Sequence, residues 1–362
     1  MKVGICFGGY CPMHRGHLDA IMKAKKENDK VLLIVCGYEG EERAKEIALS
    51  LSQKTCKVKE IFKNDEQVIV DSINDTDLGL DESMCPNNWK VWLGEVERKL
   101  KKHNLYTDES HFTFYLAEKF YQESIEKVSN KFNVVVMPKT IPISGTKIRK
   151  NPVKYCNYIL PPFRETLTKN ILITGTASEG KSTLVRDIAT YFNIPFSEEY
   201  GRKYMEKKCM LDTDLTVKDF TNFIIGQMND MAQKSVKSNS GLFISDTDNV
   251  VTLMYALAYS TNDEMQLTSE EFETILKPLA LSLKDSIKWD KIFLLPPKNA
   301  FVDDGTRYMK QSSIEERNKN FGILITLIKE FGLWEKVEIL DDTFEGNFNR
   351  VKEYINSFYE ED

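Results

Sequence analysis

A chain of 362 residues is long for a single hydrophobic core and comfortable for two domains. Its 41% hydrophobic and 29% charged residues are an ordinary globular composition, and a formal net charge of -6 lacks the basic footprint of a nucleic-acid binder. The seven cysteines are scattered, odd in number and without a Cys-x-x-Cys pair, which argues against a disulfide framework or zinc site and for a reducing compartment.

The first predicted element is a buried strand, Val3-Gly-Ile-Cys-Phe7, which leaves no room before it for a signal peptide. The apolar run Val31-Leu-Leu-Ile-Val-Cys36 is strand-sized, too short to span a membrane, so a cytoplasmic protein without membrane insertion is expected. Between these strands lie the loop Gly8-Gly9-Tyr10-Cys11-Pro12-Met13-His14-Arg15-Gly16-His17 and an amphipathic helix carrying Leu18, Ile21 and Met22. Strand, glycine loop, helix and strand make a βαβ unit, whose crevice lies at the carboxyl ends of its strands. His14 and His17 stand three residues apart at the helix start, where both can donate hydrogen bonds to phosphate oxygens. Packed or helix-capping histidines are the plain alternative, and a metal site lacks a third ligand nearby.

This loop resembles the Gly-x-Phe-x-Pro-x-His-x-Gly-His motif of the nucleotidylyltransferase superfamily, with Gly8, Pro12 and Gly16 at the family spacing and Tyr10 in place of phenylalanine. The resemblance implies attack of a substrate phosphate on the α-phosphate of ATP, with the histidines stabilising charge on the transferring group and departing pyrophosphate. It also implies a second signature, Ile-Ser-x-Thr-x-x-Arg, which stands here as Ile143-Ser144-Gly145-Thr146-Lys147-Ile148-Arg149 after the strand Val134–Met137. Ser144 reads as a helix N-cap, which puts Thr146, Lys147 and Arg149 in a first turn that favours an anion.

Between the two signatures the sequence says less. Glu39-Gly-Glu-Glu-Arg43 follows the second strand, where ligands are held, but a charge run is more often a solvated face. Trp89 and Trp92 are core anchors or, for Trp89, a platform for a flat cationic base such as nicotinamide. Tyr115-Leu-Ala-Glu118 departs at Ala117 from the Tyr-x-Ser-Glu of the resembling family, so no role falls to Glu118. Prolines from Pro152 to Pro162 break the pattern, which puts a domain boundary at about Arg164 and two domains at 1–163 and 164–362.

The second half opens on Ile171-Leu-Ile-Thr-Gly175-Thr-Ala-Ser-Glu-Gly180-Lys181-Ser182-Thr183. This is a P-loop signature in its required context, with a strand before it and a helix after it. Backbone N–H groups from Gly175 through Thr183, with Thr176, Glu179 and Gly180 between, cradle phosphates, Lys181 reaches the β- and γ-phosphates, and Ser182 is placed to ligate Mg²⁺. Glu199-Tyr200-Gly201-Arg202 suits a substrate-contacting loop, and Leu215, Phe220, Phe223, Ile224, Met228 and Met231 form the core stripe of a long helix. A buried strand then ends in Asp246-Thr-Asp248. Asp246 is the better Mg²⁺ ligand, either aspartate can accept the proton of a substrate hydroxyl, and Asp248 can equally be an N-cap. Asp303-Asp304-Gly305-Thr-Arg307 suits a kinase lid, with Arg307 and Arg317 able to close on the transferring phosphoryl group.

Two doubly wound α/β domains in this order, taken with the motifs from Gly8 to Arg307, resemble the NadR-type bifunctional family, nicotinamide mononucleotide adenylyltransferase joined to ribosylnicotinamide kinase. The resemblance implies that the C-terminal domain phosphorylates nicotinamide riboside with MgATP, and that the N-terminal domain converts the mononucleotide (NMN) and ATP to NAD and pyrophosphate. For the N-terminal ATP it implies Gly8, Gly9, Tyr10, His14, His17, Ser144, Thr146, Lys147 and Arg149, and for NMN it implies Trp89 and Trp92. Glu199, Tyr200, Arg202, Asp248, Asp304 and Arg307 are implied for the riboside. Some members of the family carry an N-terminal helix-turn-helix, which is not expected here because Met1-Lys2 runs directly into the first strand, and Ala177-Ser178-Glu179 departs from the Gly-Glu-Ser-Ser-Gly-Lys-Ser common in the family's P-loop. A fused pantetheine-phosphate adenylyltransferase and dephospho-coenzyme A kinase, and a sensor of NAD or ATP that has lost an activity, are the competing readings. The oligomeric state is open, and a homo-oligomer is compatible with the sequence.

Overall fold

Alternation of β-branched runs with amphipathic segments gives two parallel sheets. The computed structural model describes residues 1–80, 88–302 and 313–360, and the chain divides into two units, Met1–Leu167 and Thr168–Asp362. In the first unit β1 (Lys2–Gly8), β2 (Lys30–Gly37), β3 (Val68–Asn74), β4 (His111–Leu116) and β5 (Phe132–Val136) lie in the order β3-β2-β1-β4-β5, all parallel. The order reverses between β1 and β4, which opens a crevice outside the carboxyl ends of those two strands. Helices cover both faces, so the strands read as continuous apolar runs whose alternate residues enter different cores. Cys6, Leu33 and Val35 pack with Ile21 of helix α1 (Arg15–Glu27) and Val58 of α2 (Leu51–Ile61). Ile5, Leu32 and Ile34 pack with Trp89, Trp92 and Val96 of α3 (Trp89–Lys102).

The second unit contains β6 (Lys169–Gly175), β7 (Phe196–Ser197), β8 (Leu242–Ser245), β9 (Trp289–Leu295) and β10 (Val337–Ile339), parallel in the order β10-β9-β6-β8-β7. Gly175 closes β6 at φ 150°, and a Cβ there would meet the Leu295 carbonyl oxygen at 2.4 Å. Only glycine therefore lets the chain turn out of β6, close against β9, into the loop that follows. Gly180, at φ 77°, then starts helix α4 (Lys181–Phe192) with its N–H groups facing the loop. Around the sheet lie α5 (Tyr200–Lys208), α6 (Val217–Val236), α7 (Asn249–Ser260), α8 (Ile314–Glu330) and α9 (Phe344–Asn356). Phe220, Ile224, Leu253, Leu324 and Ile328 knit α6, α7 and α8 into one core. Among the described residues no helix is long and apolar enough to cross a membrane.

Candidate active sites

In the first unit the loop after β1 brings His17 to the crevice, with buried His14 stacked against it. His14 is the N-cap of α1, in extended conformation at φ -138°. Its backbone N–H donates to Nδ1 of His17 at 3.1 Å, and the His17 N–H donates to the His14 carbonyl at 2.9 Å. The rings stack with centroids 3.8 Å apart, and the Tyr10 ring meets His17 edge-on at 5.0 Å. Because Nδ1 of His17 is an acceptor, the neutral ring carries its proton on Nε2, the edge left to donate to a ligand. Burial pushes His14 down to about 4, and burial followed by the His14 charge pushes His17 down to about 3. Both are neutral at pH 7 without ligand, and an arriving phosphate anion favours protonation.

The second signature closes over the first. Ser144 caps its short helix by accepting from the Lys147 N–H at 3.2 Å, as its sequence context predicts. Arg149 donates from Nη1 to the Cys11 carbonyl at 2.8 Å and also pairs with Glu46. The two motifs, more than a hundred residues apart in the chain, therefore meet at one end of β1.

From Gly8, Gly9 and His17 the cavity runs to Asp75, Trp89 and Trp92. The tryptophans are both core and wall: Phe7 lies 6.1 Å from Trp89 and 4.8 Å from Trp92, and the Trp89 Nε1 is buried without a partner. Burial raises Asp75 to about 6, helped by the Glu41 charge and opposed by a hydrogen bond with Trp92. The charge run after β2 is solvated as expected at Glu39, Glu42 and Arg43, but not at Glu41. Glu41 is 3% exposed, accepts from Lys54 Nζ at 2.7 Å and pairs with Arg43 at 2.9 Å, and Arg43 borders the cavity. Glu118, also on the rim, pairs with Lys139 at 2.6 Å.

In the second unit the P-loop, β8 and α5 converge. Lys181 Nζ donates to the Thr176 carbonyl at 2.5 Å, and both Lys181 and a hydrogen bond with Ser182 act on Asp246 at the end of β8. Burial raises Asp246, and these two partners pull it back. Thr183 lies in the first turn of the same helix. Glu199 and Arg202 form a 3.7 Å pair and border a cavity with Thr176 and Thr247. Phe220, Tyr255 and Tyr259 supply its aromatic side, with the Tyr259 hydroxyl held by Asp212 at 2.7 Å. Leu215 and Phe223 belong to both core and cavity wall.

Three predicted residues stand elsewhere. The Tyr200 ring lies against α6, where a Cβ on Gly226 would come within 2.2 Å of it. Asp248 caps α7: its carboxylate accepts from the Val250 and Val251 N–H groups at 3.0 and 3.2 Å. It borders a small cavity with Met228, Met231 and Trp289, separate from the one that holds Glu199. Glu179 turns its carboxylate out of the phosphate cradle to Arg317, 2.7 Å away, so Arg317 is buried in an ion pair and not poised as a lid arginine. Asp303, Asp304 and Arg307 lie outside the described residues. No motif flagged a further cavity beside Gly180, formed by Pro296, Phe344 and Asn347. Its walls come from the ends of β9 and the start of α9, which only the fold brings to the P-loop.

A nucleotidylyltransferase-type crevice and a P-loop kinase cradle in one chain define a bifunctional nucleotide-transferring enzyme. Residues 5–151 match the cytidylyltransferase-like family and residues 170–345 an AAA domain family. The trifunctional NAD biosynthesis/regulator protein NadR of Salmonella typhimurium is 26% identical over 370 residues, covering 98% of this chain and 82% of that protein. Its Escherichia coli counterpart is 25% identical over 364 residues with the same coverage. A crystal structure of NadR protein in complex with NR superposes with a TM-score of 0.83 at 32% identity, covering 99% of this chain and 96% of that one. A second, in complex with NAD and AMP-PNP, gives 0.82 at 30% identity with the same coverage. The chain belongs to the NadR family, and it is an enzyme with a nucleotidyltransferase and a kinase domain.

Proposed function

We propose that the C-terminal domain phosphorylates the 5′-hydroxyl of nicotinamide riboside with MgATP, and that the N-terminal domain joins the resulting NMN to AMP from a second ATP, releasing pyrophosphate and forming NAD. The observation that carries this reading is the pairing of each phosphate site with an aromatic-walled cavity. Trp89 and Trp92 stand in one, Phe220, Tyr255 and Tyr259 in the other. Such walls suit a flat, cationic pyridinium, and the product of the kinase is the substrate of the transferase. Relatives solved with NR, and with NAD and AMP-PNP, support the same ligands here.

In the kinase the riboside oxygen attacks the γ-phosphorus, the bond to ADP breaks, and Lys181 and the loop amides stabilise charge on the phosphoryl oxygens. Ser182 and Asp246 are hard oxygen donors already in contact, and they fit Mg²⁺, which takes one or two protein ligands with phosphate and water oxygens. Among the described residues no cluster of three His, Cys, Asp or Glu forms a metal cage of its own. Held by Ser182 and Asp246, such an ion would offset the negative charge of the phosphate oxygens. With Asp248 taken up by its cap, the Asp246 carboxylate is the base that receives the hydroxyl proton. Glu199 and Arg202 hold the ribose, and the cavity beside Gly180 takes the adenosine of ATP.

In the transferase an oxygen of the NMN 5′-phosphate attacks the α-phosphorus of ATP as the bond to pyrophosphate breaks. The Nε2–H of His17 donates to the transferring group, and Thr146, Lys147 and Arg149 face the departing pyrophosphate. The test is product analysis in separate reactions. Riboside and MgATP should give NMN and ADP, and NMN and MgATP should give NAD and pyrophosphate. Turnover of phosphopantetheine or dephospho-coenzyme A instead would sink the proposal.

A further inference from the structure

The Glu179 carboxylate, although part of the P-loop, accepts from the backbone N–H of Lys298 at 3.1 Å and of Asn299 at 3.3 Å, and from Asn299 Nδ2 at 3.2 Å. Its ion pair with Arg317 Nη1 is almost wholly out of water, the side chains being 1% and 5% exposed. Arg317 Nη2 donates to the Asn299 carbonyl at 2.7 Å. The guanidinium is thus clamped along one edge, while its Nε–H is buried with no partner. One helical turn further along α8, the Asn320 Oδ1 is also buried and unpartnered, and so is the Thr176 Oγ1 at the start of the P-loop. All three residues line the cavity that holds Glu199 and Arg202.

Two physical arguments bear on this arrangement. A buried ion pair is a poor device for stability alone, because apolar side chains of the same volume do as well or better. Buried polar atoms without partners each cost stability, and native proteins keep few of them. Three such atoms on one cavity wall have a common explanation if a ligand supplies the missing partners. The clamp also neutralises the guanidinium, which lets a cationic substrate approach it.

We infer that Arg317 and Asn320 bind the acceptor substrate of the kinase, taking a group that offers both a lone pair and an N–H or O–H, and that Glu179 is the positioning residue that holds Arg317 for it. A carboxamide and a ribose hydroxyl share this chemistry. The inference rests on the riboside reading of this cavity.

The test is steady-state kinetics of the full chain with nicotinamide riboside and MgATP for wild type, Arg317→Lys, Asn320→Leu and Glu179→Gln. The KM for riboside should rise about 10- to 100-fold in the first two variants, the range lost with a hydrogen bond to a charged or buried group. Glu179→Gln should raise it less; the KM for ATP should hold in Arg317→Lys and Asn320→Leu, and the NMN-to-NAD rate should hold in all three. Riboside analogues lacking the carboxamide or the 2′-hydroxyl separate the two sources. The analogue that has lost the recognised group should be handled alike by wild type and variants. A rise in the KM for ATP without one for riboside would mean that the pair serves the nucleotide cradle, and unchanged values for both would leave it purely structural. Either result overturns the inference while sparing the riboside reading. A wild type that does not phosphorylate the riboside overturns both.

Discussion

Replacing Asp248 by asparagine separates a capping role from a catalytic one. Burial lifts the Asp248 carboxyl from its ordinary 3.8 to about 6, against opposing hydrogen bonds from Val251, Val250 and Trp289. The folded state therefore holds a proton between pH 4 and 6 that the unfolded chain has released, and stability falls as pH rises through that window. Above pH 6 the displacement costs about 3 kcal/mol at roughly 1.4 kcal/mol per pH unit. Asparagine caps as well as aspartate but cannot accept from Trp289 on its amide side, a loss of about 1 kcal/mol. The variant should gain about 2 kcal/mol at pH 8, or roughly 4–8 °C for a domain of this size. At pH 4.5 it should match or fall slightly below wild type. Thermal unfolding of the two proteins at both pH values measures this, and kinase activity should survive. An Asp248→Asn protein that is folded but inactive as a kinase, with no pH-dependent gain, would return Asp248 to the chemistry and refute the argument.

Lys181→Ala should abolish the riboside kinase step and spare NMN adenylylation, and His17→Ala should do the reverse, as read by separate assays of each reaction. Ser182→Ala should raise the Mg²⁺ concentration for half-maximal kinase rate by about 10-fold, with the transferase unchanged; an unaltered Mg²⁺ dependence would remove Ser182 from the ion. His14 and His17 sit at about 4 and 3, below their ordinary 6.5. Their contribution to the first unit is complete above pH 6.5 and lost as pH falls toward those values, because the unfolded chain takes up the protons first. The thermal transition of that unit should drop between pH 7 and 5, and by less in His17→Asn.

The sites were legible where chemistry is written into local spacing. The P-loop and the His14-x-Gly-His17 loop are each a short segment at a helix start, so strand, glycines and helix can be read together. Parallel sheets followed from the same alternation. What stayed hidden depends on side-chain direction or distant partners. Asp246 and Asp248 are two residues apart, and only the start of α7 decides that one carboxylate caps while the other meets Lys181 and Ser182. The consequence of Glu179 was unreadable because its partner Arg317 lies in α8. Glu41 looked like part of a solvated run until Lys54, from α2, was found buried beside it. Asp75, Phe344 and Asn347 belong to no motif and reach their cavities only through strand order.

The most direct test of the account is a chromatographic time course of the purified chain with nicotinamide riboside, MgATP and pyrophosphatase. NMN should appear first and then give way to NAD, as expected of two sites working in sequence. NMN that accumulates with no NAD would contradict the transferase assigned to His14 and His17, and the absence of any product would contradict the riboside reading of the P-loop domain.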